Sequence, residues 1–116
     1  MSRRVLHWVG SAREDLRAFP EAARRRAGHE LDLVQQGLEP ADFKPMPTVG
    51  PGAYELRIRA GGAFRVLYVA KFSEGVYVLH AFEKKTRRTA RADLALGANR
   101  YRELVRQRRS KSEDGV

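Results

Sequence analysis

The stretch from Tyr54 to Phe82 constrains the fold most, because its apolar residues recur with a period of two and glycines break the pattern twice. Tyr54, Leu56 and Ile58 alternate with Glu55, Arg57 and Arg59 before Gly61-Gly62. A period of two marks a strand with one buried face, and a glycine pair supplies the backbone freedom of a tight hairpin turn. Phe64–Ala70 is apolar at every position but Arg65, which makes it a central strand. Ser73-Glu74-Gly75 turns the chain again, and Val76–Phe82 forms another strand that ends at Glu83-Lys84-Lys85. The block predicts an antiparallel meander, and the rest of the chain must cover it.

Before the meander, Arg4–Val9 is a short, mostly apolar run that stops at Gly10 and reads as a strand. Ser11 with Glu14 three positions on reads as a capping box. Leu16 and Phe19 give this first helix an apolar edge, and Pro20 suits the first turn of a second one. Ala23, Ala27, Leu31 and Val34 then form one buried helical stripe, and Gly37 caps its end. Residues 38–53 hold four of the five prolines, plus Gly50 and Gly52, and read as a loop crossing one end of the sheet. After the meander, Thr89 can cap a final helix with Leu94, Ala98, Tyr101 and Val105 as its apolar stripe. Gly97 inside that helix costs about 1 kcal/mol relative to alanine. Residues 106–116 read as a polar basic tail without regular structure, which leaves a single domain over 1–105. The order β-α-α-β-β-β-α is an α+β domain, a small antiparallel sheet with helices packed on one face.

Composition narrows the function. With no cysteine the chain has no disulfide, thiol nucleophile or cysteine-ligated metal, and His7, His29 and His80 are scattered rather than spaced as ligands. No run is long and apolar enough for a membrane span, so no membrane partner, metal or other cofactor is expected, and the cytoplasm is the expected compartment. Residues 1–53 carry eight basic and seven acidic side chains, a net of +1, whereas residues 54–116 carry fifteen and seven, a net of +8. A lopsided basic surface predicts a polyanionic partner, held by phosphate contacts and counterion release.

Arg65 is the residue to explain, since a charge in a central apolar strand is costly unless it is paired or faces a ligand. It can pair with Glu55 on the neighbouring strand, or offer its planar fork to a phosphate. Arg57 and Arg59 lie on the polar face of their strand, and Arg57, Arg65 and the Lys84-Lys85 end of the last strand can converge on one basic surface, suited to the extra charge of a pentacoordinate phosphate in RNA cleavage. Glu55, His80, Tyr68 and Lys84 are the candidates for proton transfer, and Phe82 can stack on a base.

The blocks Trp8…Ser11…Asp15-Leu16…Phe19-Pro20, Tyr54-Glu55-Leu56-Arg57, Phe64-Arg65-Val66-Leu67-Tyr68 and His80-Ala81-Phe82-Glu83-Lys84-Lys85-Thr86 resemble the HigB branch of the RelE/ParE toxin superfamily. The resemblance covers about residues 4–105 and implies the RelE-like fold. It further implies the toxin of a type II toxin–antitoxin system, an mRNA interferase that cleaves ribosome-bound mRNA by attack of the 2′-hydroxyl. Its partner would be a cognate antitoxin with a helix-turn-helix domain. On this resemblance Arg65, Lys84, Lys85, Glu55 and Arg57 are site residues; the proton-transfer candidates His80 and Tyr68 complete the expected catalytic set. The basic residues Arg59, Arg87, Arg88 and Arg91, with Phe82, are expected to contact RNA. Ala90 and Gly97 depart from the family pattern in the last helix. The same superfamily holds gyrase-poisoning ParE toxins, and a non-catalytic basic nucleic-acid-binding module is the alternative of another class.

Overall fold

The computed structural model describes residues 3–114. In chain order these form β1 (Leu6–Trp8), α1 (Ala12–Arg17), α2 (Glu21–Gln35), β2 (Phe43–Pro45), β3 (Ala53–Arg59), β4 (Ala63–Val69), β5 (Val76–Glu83) and α3 (Arg91–Asp114). The five strands make one sheet in the order β1-β5-β4-β3-β2. β3, β4 and β5 are the expected antiparallel meander, with Arg57 opposite Arg65 and Arg65 opposite Phe82. β1 pairs with β5 in parallel, Leu6 opposite Val76, so the α+β class holds but the sheet is mixed rather than wholly antiparallel.

The helices do not share one face, and that expectation is corrected. Phe64, Val66 and Tyr68 of β4 pack with Leu16 of α1 and Ala27 and Leu31 of α2. Leu67 and Val69 point the other way and pack with Tyr101 and Leu104 of α3. A central strand apolar on both faces cannot leave either one bare, so α3 covers the side that α1 and α2 do not. Gly97 lies where α3 presses on the sheet, and a methyl group there would stand 2.6 Å from Leu67 Cδ1.

Local chemistry explains the other differences. The α2 stripe is buried as expected, and α2 ends in a Schellman motif. There Gly37, at φ 77°, donates to the Val34 carbonyl while Leu38 donates to Leu33. Ser11 stands at the N-cap of α1 without bonding its backbone. Its hydroxyl instead donates to Asp15 and accepts from Arg100 of α3, so the capping box does not form. The 38–53 loop contains β2, a short edge strand in which Pro45 is tolerated because an outer strand need not donate on its free side. α3 continues through Asp114, past the expected end of regular structure at Val105. Arg108 accounts for part of the extension, since its guanidinium lies 3.7 Å from the centre of the Phe72 ring and binds the Glu74 carboxylate. The buried side of α3 runs through Gly97, Tyr101 and Leu104, turned slightly from the expected stripe, with Ala98 and Val105 only part-buried.

β5 also carries a bulge. Leu67 faces His80 while the next residue, Tyr68, faces Val78, so Leu79 is left over. Leu79 and His80 are therefore both turned toward α3, and side-chain alternation resumes on a shifted count.

Candidate functional site

The register of β2, β3 and β4 builds a charged floor on the α3 side of the sheet. Arg57 and Arg65 sit directly opposite one another, an arrangement that two like charges resist. Glu55, two residues before Arg57 on the same face of β3, relieves it. One carboxylate oxygen stands 3.4 Å from Arg65 Nε and 3.6 Å from Arg57 Nε. The other accepts a 2.9 Å hydrogen bond from the Thr89 hydroxyl. Glu55 is only 2% exposed and Arg65 6%. Both readings of Arg65 thus meet in one place, because it pairs with Glu55 and also lines an open cleft. Burial pulls the Arg65 pKa down and the Glu55 carboxylate opposes that pull, while Arg57 and Arg59 reinforce it. An arginine tolerates such a shift without losing its charge.

The cleft has a volume of about 390 Å³ and is lined by Lys44, Met46, Glu55, Arg57, Arg65, Lys84, Arg87, Arg88, Thr89 and Leu94. The segment between β5 and α3 forms its rim. The Lys84 backbone donates to the Ala63 carbonyl of β4, and the Lys84 ammonium folds back onto the Arg87 carbonyl. Thr86 binds the Arg88 carbonyl, which tightens the same turn. The result is one buried carboxylate on a floor shared with two guanidiniums, rimmed by further cations. That pattern can hold an anion and set a carboxylate beside it.

Of the residues expected from sequence, Glu55, Arg57, Arg65, Lys84, Arg87 and Arg88 come together here. Lys85, Arg59 and Arg91 are exposed and do not line the cleft. Tyr68 does not belong to it, because it lies on the opposite face of the sheet, stacked on Tyr54 at 5.8 Å. Burial pushes the Tyr68 hydroxyl above its ordinary range, with Tyr54 and Glu30 adding to the effect. Phe82 is 9% exposed, packed in the core on the α3 side and stacked against His80, so it has little ring surface for a base. His80 lies outside the cleft and binds Asp93. Sequence reasoning missed Lys44, because β2 was hidden among prolines, and it assigned Thr89 to a helix cap. The signal for Lys44 was available in the Phe43-Lys44-Pro45 triplet, which is flanked by turn residues.

A larger hollow of about 1120 Å³ lies between α1, β1 and α3, and it gathers none of the expected site residues. Among the described residues, no three His, Asp or Glu side chains cluster as metal ligands, and no helix is long and apolar enough to cross a membrane.

A family model described as "Phage derived protein Gp49-like (DUF891)" matches residues 14–102. A crystal structure described as the toxin-antitoxin complex RelBE2 from Mycobacterium tuberculosis shares 23% sequence identity with the chain. That similarity covers 72% of this chain and 100% of the other, at a TM-score of 0.48. No curated protein matches the chain.

Proposed function

The chain belongs to the Gp49-like family of phage-derived proteins, and from that premise we propose that it is the toxin of a type II toxin–antitoxin pair. In this reading it is a HigB-type mRNA interferase that acts in the cytoplasm on ribosome-bound message and is neutralised by a helix-turn-helix antitoxin. The observation that carries the reading is the buried Glu55 carboxylate between Arg57 and Arg65, on the floor of a cleft rimmed by Lys44, Lys84, Arg87 and Arg88.

The chemistry follows from that floor. Arg65 and Arg57 hold the non-bridging oxygens of a phosphodiester and stabilise the added negative charge as phosphorus becomes five-coordinate. Glu55 accepts the proton of the adjacent 2′-hydroxyl, whose oxygen bonds to phosphorus. The bond to the 5′ oxygen then breaks, and that oxygen leaves as a 5′-hydroxyl after taking up a proton from solvent. The product on the other side is a 2′,3′-cyclic phosphate. The nucleophile is supplied by the RNA itself, so the mechanism calls on no metal-activated water. Lys44, Lys84, Arg87 and Arg88 hold the flanking backbone.

Induced expression followed by primer extension on cellular mRNA tests the reading. The expected result is new stops within translated messages, with fragments that resist 3′-hydroxyl-dependent ligation until the cyclic phosphate is opened and removed. Intact mRNA beside gyrase-dependent DNA breaks would overturn it and support the gyrase-inhibitor alternative.

A further inference from the structure

We propose that His80 is a positioning residue whose hydrogen bond to Asp93 fixes the start of α3 over the Glu55–Arg65 floor. The activity arm of this inference rests on the cleft being the cleavage site, and the structural arm does not.

The argument begins with the bulge. Val76 and Val78 face α1 and α2, while Leu79 faces α3. Simple alternation would turn His80 away from α3, but the leftover residue at Leu79 brings it to the α3 side. Its Nε2 then lies 2.8 Å from an Asp93 carboxylate oxygen in the first turn of α3. The bulge offers α3 a second group as well, since Arg100 Nη1 donates to the Leu79 carbonyl at 2.8 Å. Asp93 and Arg100 are seven residues apart, two helical turns, and so share one face of α3. A single irregularity in β5 therefore grips α3 at two points.

The grip near Asp93 bears on the cleft. Thr89 and Leu94 flank that point in sequence, and both line the cleft. The segment before α3 is tied to the sheet at its beginning by the Lys84 backbone and near its end by Thr89 on Glu55. His80 adds the hold on the helix itself. Its ring stacks on Phe82 at 4.8 Å, and Phe82 is the cross-strand partner of Arg65. The same geometry argues against proton transfer by His80. Nε2 is committed to Asp93, and Nδ1 is buried with no partner among the described residues to which it could pass a proton.

The test compares His80→Ala, His80→Gln and Asp93→Ala in the purified protein. A glutamine amide can still donate to Asp93 but cannot carry a proton as imidazole does. Amide hydrogen exchange across residues 86–95 is expected to quicken about tenfold or more in both alanine variants, the factor set by losing a charge-assisted hydrogen bond. Glutamine is expected to restore exchange to near the parent rate. Cleavage of ribosome-bound mRNA is expected to fall with alanine and recover with glutamine, and its pH profile is expected to keep its shape. Unchanged exchange in both alanine variants would overturn the inference. So would a glutamine variant with normal exchange but no cleavage, which would make His80 a proton carrier. Should His80→Ala fail to fold, Asp93→Ala removes the same bond from the helix side, where the aspartate is part-exposed. A parent protein that cleaves nothing would strike the functional reading alone, since exchange still decides the role of His80.

Discussion

Replacing Arg65 with alanine separates stability from chemistry. The change removes the guanidinium 3.4 Å from Glu55 and leaves a carboxylate only 2% exposed. Orphaning one member of a buried ion pair typically costs about 3–5 kcal/mol. Here Glu55 keeps Arg57 at 3.6 Å and the Thr89 hydroxyl at 2.9 Å, so the loss is expected nearer 2–3 kcal/mol. For 116 residues the unfolding entropy is about 0.24 kcal/mol per kelvin, which turns that loss into a drop in Tm of roughly 8–12 °C. Cleavage should fall further than stability accounts for, by about 100- to 1000-fold at a temperature where the variant is fully folded. Arg65→Lys keeps the charge, so it should recover much of the Tm but less of the rate, because an ammonium cannot hold two phosphate oxygens in one plane. Circular dichroism melts beside single-turnover cleavage on ribosomes read both quantities. A variant that melts early yet cleaves at the parent rate would refute the assignment of this cleft to the reaction. One that melts like the parent would refute the claim that Glu55 depends on Arg65.

The rim residues Lys84, Arg87 and Arg88 and the exposed Lys85 and Arg91 beside them should act through salt-dependent attraction. Replacing Lys84, Lys85, Arg87, Arg88 and Arg91 with glutamine should weaken ribosome co-sedimentation and flatten its log–log salt slope by about 0.7–0.9 for each phosphate no longer neutralised. Replacing Arg24, Arg25 and Arg26 should do less, since Arg25 pairs with Glu21 at 3.2 Å and Arg26 with Glu30 at 2.9 Å; equal losses would remove the case for a directional face. Gly97→Ala should lower Tm despite the better helix former, because a methyl group 2.6 Å from Leu67 Cδ1 overpacks a filled core by about 1–3 kcal/mol against a propensity gain of about 1 kcal/mol; a higher Tm would show that the helix can lift freely. Glu74 is held down to a pKa of about 2, chiefly by its hydrogen bonds from Arg108. A depressed carboxylate stabilises the fold above its unfolded pKa, so Glu74→Gln should cost under about 1 kcal/mol for so exposed a pair at neutral pH. The difference should fade as pH falls from the ordinary glutamate range toward 2, and a gap that persists at the acid end of a denaturation series would contradict the ion-pair account.

The meander and its register were legible because the alternation of Tyr54–Arg59 and the apolar run of Phe64–Ala70 admit few other arrangements. Glu55, Arg57 and Arg65 could be found together for the same reason, since a charge in a central strand needs a cross-strand answer. What sequence periodicity did not show was long-range. The parallel pairing of β1 with β5 joins segments that carry no mutual signal, and β2 is three residues long with a proline at its end. The bulge at Leu79–His80 leaves no trace in an apolar strand, because Val76–Phe82 reads the same with or without a skipped residue. That one skip decides which face His80 occupies. Tyr68 illustrates the converse error, since a titratable side chain picked by its chemistry alone can lie on either face of a strand, and only alternate residues share the face of Arg65.

The pairing of β1 with β5 sets an order of events during synthesis. Trp8 lies opposite Val78, so β1 waits for 70 residues before its partner exists. At bacterial and eukaryotic elongation rates that interval is roughly 4–14 s. The β3–β4 hairpin, whose partners are near in sequence, can close meanwhile and set Glu55 beside Arg65 well before α3 is made. Leu6 and Trp8 have no sheet to join during that time, and Leu16, Phe19 and Leu31 lack the β5 side chains that complete their cluster. The charged floor of the cleft is thus assembled early from local contacts, while its roof and the outer edge of the sheet are fitted together only once β5 and α3 have been made.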